Sequence, residues 1–167
     1  MEIASGVHAI PLQARVGLLG MSLGVATVLI AMGEEPRVPA TWEDSSYADI
    51  DVAIQAELSR NGYPTFLRYG SYLVAQLRSG DNLTSLSPLG AAAKLEGRPI
   101  FITHGPADSG LSVVYASDLA DADQANGATV DPWIVEGADH TQAIVLEPAE
   151  YERRLDAFFG TTIGEGP

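Results

Sequence analysis

The stretch that decides the fold is Arg15-Val16-Gly17-Leu18-Leu19-Gly20-Met21-Ser22-Leu23-Gly24. Its first half is short and apolar, the composition of a strand buried in a sheet. Residues 23–32 follow as an apolar helix, and Gly33 stands where a left-handed C-cap would close it. Between strand and helix, Gly20-Met21-Ser22-Leu23-Gly24 is a G-x-S-x-G motif. A strand that turns at once into a helix needs small residues two before and two after the serine. The backbone then closes up and the hydroxyl stands clear of the sheet. The helix N-terminus behind it favours developing negative charge. Without its neighbours the motif is only a glycine-rich packing segment; the flanking strand and helix make Ser22 a candidate nucleophile.

The same run has a competing reading. Residues 16–32 carry no charge, and Gly20 and Gly24 have the spacing of paired membrane helices. A signal peptide or a short transmembrane helix would look similar. However, the run holds Gly17, Ser22 and Thr27 and sits at the lower length limit for spanning. It begins late for a signal peptide, and Glu2 precedes it. The expectation is a globular protein with no membrane partner, in the cytoplasm.

Downstream, strand and helix patterns alternate. Residues 38–42 form a second strand weakened by Pro39. Residues 44–97 read as a helical, cap-like insertion. Ile50, Ala53, Ile54 and Leu58 share one helix face that stops at Asn61-Gly62. Phe66, Gly70, Leu73, Val74 and Leu77 form a second stripe ending at Gly80. Ser87-Pro88 starts a short third helix running to about Leu95. Pro99-Ile100-Phe101-Ile102-Thr103 is a continuous apolar run, as in a parallel strand buried on both faces. A helix over 112–125 follows, then a strand over 129–136 in which Pro132 marks a sheet edge. A last helix over 148–159 has Pro148 at N1 and turns Tyr151, Leu155, Phe158 and Phe159 to one side. This order predicts an α/β fold of about four mostly parallel strands with flanking helices. In such sheets the active site lies at the carboxyl ends of the strands.

Two further loops meet that requirement. Asp108 comes just past the strand over 99–103, in His104-Gly105-Pro106-Ala107-Asp108. A turn or N-cap aspartate is its bland alternative, and His104 reads as structural. His140 closes Gly137-Ala138-Asp139-His140, just past the next strand. Asp139 is the rival acid, but a sequence neighbour rarely points at the ring nitrogen. His8, ahead of the first strand, has no comparable context. Serine needs a base to become nucleophilic, and the base needs an orienting acid. In chain order the three are Ser22, Asp108 and His140, each just past a strand.

The chain resembles the C-terminal half of bacterial α/β-hydrolases from the fifth strand onward. Residues 15–24 look like the family's fifth strand and nucleophile elbow, and Asp44-Ser45-Ser46-Tyr47 like the segment after its sixth. Ser87-Pro88-Leu89 looks like the run leading to the seventh strand. Residues 98–108 are similar to the seventh strand and acid loop, 137–140 to the histidine loop, and 150–159 to the closing helix. Esterase- and peptidase-like members look most similar. The resemblance implies Ser22 as nucleophile, Asp108 as acid, His140 as base and the Leu23 N–H as one oxyanion donor. It also implies a fold truncated before the fifth strand, since residues 1–14 are too short for the strands that precede it in the family. The usual second oxyanion donor would go with them.

Composition limits the partners. The net charge is −13, and Lys94 is the one lysine among nine basic residues. A surface of that sign repels phosphate backbones, so no nucleic-acid partner is expected. There is no cysteine, hence no disulfide, thiolate metal site or thiol nucleophile. The reading needs no metal and no organic cofactor. It yields a serine hydrolase of small, short-chain acyl esters, with peptidase, thioesterase and lactone hydrolase open because the same triad serves them. The alternative is a weak or inactive fragment acting only as a self-assembling module. Either way an apolar edge at 15–20 and the helix over 23–32 would invite pairing with a second copy, a homodimer or higher.

Overall fold

A computed structural model describes residues 15–47, 49–80, 87–92, 95 and 97–163. The segment 1–14, with His8, lies outside them. The chain runs β1 (Leu18–Met21), α1 (Gly24–Glu34), β2 (Thr41–Asp44), α2 (Ile50–Arg60), a 3-10 turn (Thr65–Leu67), α3 (Arg68–Ser79) and α4 (Pro88–Ala92). It continues through β3 (Ile100–His104), α5 (Val114–Ala125), β4 (Val130–Ile134), α6 (Ala143–Leu146) and α7 (Pro148–Thr162). The four strands form one sheet in the order β1-β2-β3-β4, all parallel. The α/β class, the parallel sheet and the flanking helices are as the alternation of patterns predicts.

Two cores hold the helices to the sheet. On one face Val25, Leu29 and Met32 of α1 and Leu119 of α5 pack on Ile100 and Ile102. On the other, Trp42 and Phe101 meet Tyr151 and Phe158 of α7. The Trp42 and Phe101 rings stack at 4.0 Å. β3 is buried along its whole length, as its unbroken apolar run requires. β4 is an edge strand. Ile100 N–H donates to Thr129 and Val135 N–H to the His104 carbonyl, so odd-numbered residues bond inward. Pro132 therefore turns its hydrogen-free nitrogen outward, where it costs the ladder nothing.

Several boundaries differ from the sequence reading. The second strand begins at Thr41, not Val38, because Pro39 has no N–H and the ladder becomes regular only beyond it. β1 starts correspondingly late, at Leu18. Gly33 does not cap α1. The helix continues to Glu34, and Glu35 closes it in an extended conformation while its carboxylate takes the Arg37 N–H and guanidinium. The third helix of the 44–97 region is only Pro88–Ala92; Ala93, Lys94 and Glu96 lie outside the described residues. α6 was not foreseen, being a single turn without its own period. The α3 stripe forms but faces outward: Phe66, Leu73, Val74 and Leu77 are all more than half exposed. At the other end of the sheet, α1 buries Val25, Ala26, Val28, Leu29 and Met32, while Leu19 and Leu23 remain exposed. No helix among the described residues is long and apolar enough to cross a membrane.

One pair of polar groups is out of place in this core. Glu43 on β2 and Asp123 on α5 are fully buried, and neither carboxyl has a hydrogen-bond partner among the described residues. Burial, then the neighbouring Asp123, pushes the Glu43 carboxyl well up. Burial pushes Asp123 up to about 7. Both bind protons more tightly folded than unfolded, where a carboxyl titrates near ~4. The contribution of Asp123 is whole below that value and is lost as pH rises through about 7, and that of Glu43 is likewise lost only above its unfolded value. The melting temperature should therefore fall between about pH 5 and pH 8, and Glu43→Gln with Asp123→Asn should flatten that fall. Thermal melts at the two pH values check this; a wild-type melt that does not change refutes it.

Candidate active site

The register of the sheet brings the three candidate loops together. Met21, Asp44 and Thr103 lie side by side at one edge, and His104 pairs with Ile134 just beyond. Ser22, Asp108 and His140 all follow from that edge.

Ser22 sits at the sharp turn from β1 into α1 with φ of +51°, outside the usual range for a side-chain-bearing residue. The strain is held by the sheet: Ser22 N–H donates to the Asp44 carbonyl at 2.9 Å. The motif glycines are not equivalent. A Cβ on Gly20 would come within 2.6 Å of the Gly24 carbonyl oxygen, whereas one on Gly24 would meet nothing within 4 Å. The elbow needs Gly20 for space and does not need Gly24 for it.

The acid and histidine loops touch backbone to backbone. A Cβ on Gly105 would fall 2.0 Å from the Ala138 oxygen. The Ala107 N–H donates to that same oxygen at 3.1 Å. The buried His104 supports the acid loop, its Nε2–H donating to the Leu111 carbonyl at 3.0 Å. Asp108 Oδ1 accepts the N–H groups of Gly110 at 2.9 Å and Leu111 at 2.8 Å. Its Oδ2 lies 2.7 Å from His140 Nδ1. Burial pushes the Asp108 carboxyl up, but the His140 hydrogen bond and the two amides outweigh it and hold it below its ordinary value. An ionised Asp108 only accepts, so Nδ1 of His140 carries the hydrogen. Nε2 is left as the acceptor for the Ser22 hydroxyl, 2.8 Å away.

Asp139 does not reach the ring. It accepts from Ser109 N–H at 3.0 Å and from its neighbour's own N–H, His140, at 2.7 Å. The Ser109 and His140 amides hold its carboxyl low. The two aspartates thus divide the work: Asp108 faces the imidazole, and Asp139 ties the two loops together.

In front of Ser22 lies a cavity of about 200 Å³, lined by Leu23, Ile54, Arg60, Leu111 and His140. The Leu23 N–H, at the start of α1, donates to no group among the described residues. Arg60 was missed in the sequence. Its Nη2 lies 3.5 Å from Asp108 Oδ1, its Nη1 3.7 Å from Glu57. Nothing local marks it, because its position depends on how the last turn of α2 packs over the acid loop. Among the described residues no group of three or more histidines and carboxylates is arranged to hold a metal ion.

No family model matches the chain, and no curated protein matches it in sequence. Solved structures do. An esterase from Pyrococcus furiosus superposes with a TM-score of 0.65 at 20% identity, over 90% of this chain and 54% of the esterase. An esterase domain from a Rhodothermus marinus protein matches with a TM-score of 0.60 at 20% identity, over 89% of this chain and 61% of that one. A puromycin-hydrolyzing peptidase from Mycobacterium tuberculosis gives a TM-score of 0.64 at 22% identity, over 92% of this chain and 22% of the peptidase. The chain spans about half the length of the Pyrococcus esterase it matches. Its fold is that of the α/β-hydrolases.

The elbow geometry separates its two glycines experimentally. Gly20→Ala should destabilise by about 1–3 kcal/mol, the usual cost of overpacking. Gly24→Ala should be neutral or stabilise by up to ~1 kcal/mol, as a helical glycine replaced without a clash. Urea unfolding of the two variants reads the difference, and equal losses would contradict it.

Proposed function

We propose that the chain is a serine hydrolase acting on small carboxylic esters. The observation that carries this is the pair of hydrogen-bond distances from His140, 2.8 Å to Ser22 Oγ and 2.7 Å to Asp108 Oδ2. Ser22 Oγ attacks the acyl carbonyl while His140 Nε2 takes its proton. Asp108 holds the ring and stabilises the imidazolium. The Leu23 N–H stabilises the oxyanion. As the tetrahedral intermediate collapses, His140 returns the proton to the departing alcohol and leaves an acyl-Ser22 ester. Water, deprotonated by His140, attacks that ester, and the acid leaves as Ser22 recovers its hydrogen.

The cavity of about 200 Å³ is small for a ligand pocket, which typically spans ~300–1,000 Å³. It favours acetyl and butyryl groups over long chains. Solved structures of like fold include proteins named as esterases and as peptidases. A second reading, a module that only self-associates, draws on the exposure of Leu19 and Leu23 beside the outer edge of β1. Edge strands of that kind template pairing with another chain.

The wild type should hydrolyse p-nitrophenyl acetate and butyrate. Ser22→Ala should lower the rate at least about a thousand-fold and abolish stoichiometric labelling by a fluorophosphonate. Asp108→Asn should cost about 10³–10⁴ in kcat by favouring the wrong imidazole tautomer. Trace rates equal in wild type and a folded Ser22→Ala would refute the hydrolase. Light scattering tests the pairing, which a single species of 17.6 kDa at micromolar concentration would exclude.

A further inference from the structure

Among the described residues, three other than glycine have positive φ: Ser22 at +51°, Ser45 at +55° and Thr141 at +56°. Such a backbone is strained and persists only where the surroundings enforce it. The nucleophile elbow accounts for Ser22. Nothing in the Ser22–His140–Asp108 chain accounts for the other two, which lie at the end of β2 and directly after His140.

A second chain of hydrogen bonds joins them. Thr141 N–H donates to Ser45 Oγ at 2.9 Å. The Ser45 hydroxyl donates in turn to Asp44 Oδ1 at 2.9 Å. Tyr151 OH, from α7, donates to Asp44 Oδ2 at 3.0 Å. Ser45 N–H is held by the Thr103 carbonyl at 2.9 Å, which anchors this corner to β3. The Asp44 backbone carbonyl meanwhile accepts the Ser22 N–H. Of these two adjacent residues, Asp44 therefore meets the nucleophile turn through its backbone carbonyl and Ser45 meets the histidine loop through its hydroxyl, which the Asp44 carboxyl holds. Asp44 and Ser45 are both fully buried.

We infer that Asp44 and Ser45 are positioning residues for the proposed hydrolase, holding the His140 loop and the Ser22 elbow in one register and setting a second buried carboxyl group against the His140 loop through Ser45 and Thr141. Both Asp44 oxygens accept hydrogen bonds, as an ionised carboxylate does. Burial pushes its carboxyl up; the Ser45 and Tyr151 hydroxyls oppose that, as do the charged forms of His104 and His140. The attraction is mutual, so ionised Asp44 favours the imidazolium that His140 becomes in the transition state. Of the other charged groups nearby, Asp108 bonds the ring, Asp139 bonds the His140 N–H, and Glu57 and Arg60 of α2 line the same cavity. All four stay in place in the variants below.

The inference rests on the hydrolase reading for its purpose, and two variants test it. Ser45→Gly keeps a residue at ease with positive φ but removes the hydroxyl that holds Thr141. It should melt within a few degrees of wild type, while kcat on p-nitrophenyl acetate falls about ten- to a hundred-fold with KM within about two-fold. Asp44→Asn preserves the shape and removes the charge. Loss of a nearby anion disfavours the imidazolium, so the acid limb of the kcat profile should shift to lower pH by roughly half a unit. The ring titration of His140, followed by NMR against His8 and His104, should shift the same way. The NMR titration, and about ten-fold faster exchange of the Thr141 amide in Ser45→Gly, need no turnover. If wild type shows no Ser22-dependent hydrolysis, the hydrolase reading fails and these two readouts still decide the positioning. Wild-type kcat or unaltered Thr141 exchange in Ser45→Gly overturns the role of Ser45. An unmoved His140 titration in Asp44→Asn overturns that of Asp44.

Discussion

The structure depends above all on the parallel register of its four strands. Met21, Asp44 and Thr103 end level with one another, so the loops that follow leave from one edge in one direction. A slip of one residue in any pair would reverse which side chains face which core. It would also carry Ser22, Asp108 or His140 away from the other two. The stacked Trp42 and Phe101 rings, with α7 over them, and the aliphatic packing of α1 and α5 on the opposite face resist that slip from both sides.

Much of this was legible in the residues. The apolar run of β3, the strand–turn–helix context of Gly20-Met21-Ser22-Leu23-Gly24 and the positions of Asp108 and His140 just past strands are local signals. Local signals survive folding when the sheet is regular. That Asp108 and not Asp139 meets the His140 ring has a geometric reason, since a residue adjacent to His140 bonds its backbone N–H and cannot easily reach its ring. The parts that were not legible depend on through-space arrangement. Gly33 looked like a helix stop, yet the Glu35 carboxylate and Arg37 supplied a different one two residues on. Arg60 approaches Asp108 across 48 residues. Ser45 and Thr141 acquire their unusual backbones only when the β2 end and the histidine loop meet.

The polar groups in the interior divide into two kinds. Asp44 and Asp108 are buried with their hydrogen-bonding capacity used, and both lie at the carboxyl edge where the candidate site sits. Glu43 and Asp123 are buried without partners, in the aliphatic layer. The first kind lies against the candidate site; the second, its carboxyls pushed up by burial, ties the stability of the fold to acidity. Adjacent residues of one strand, Glu43 and Asp44, fall on opposite sides of that division because successive side chains leave a strand in opposite directions.

Pro132 has a consequence at the scale of many molecules. With its hydrogen-free nitrogen turned outward, the β4 side offers a broken row of donors to any approaching strand. β1, at the other end of the sheet, carries no proline. The sheet is thus chemically directional, with backbone recruitment discouraged at the β4 margin. A stack that added copies at both margins would meet a blocked end at every β4, so the geometry disfavours open-ended growth through that margin.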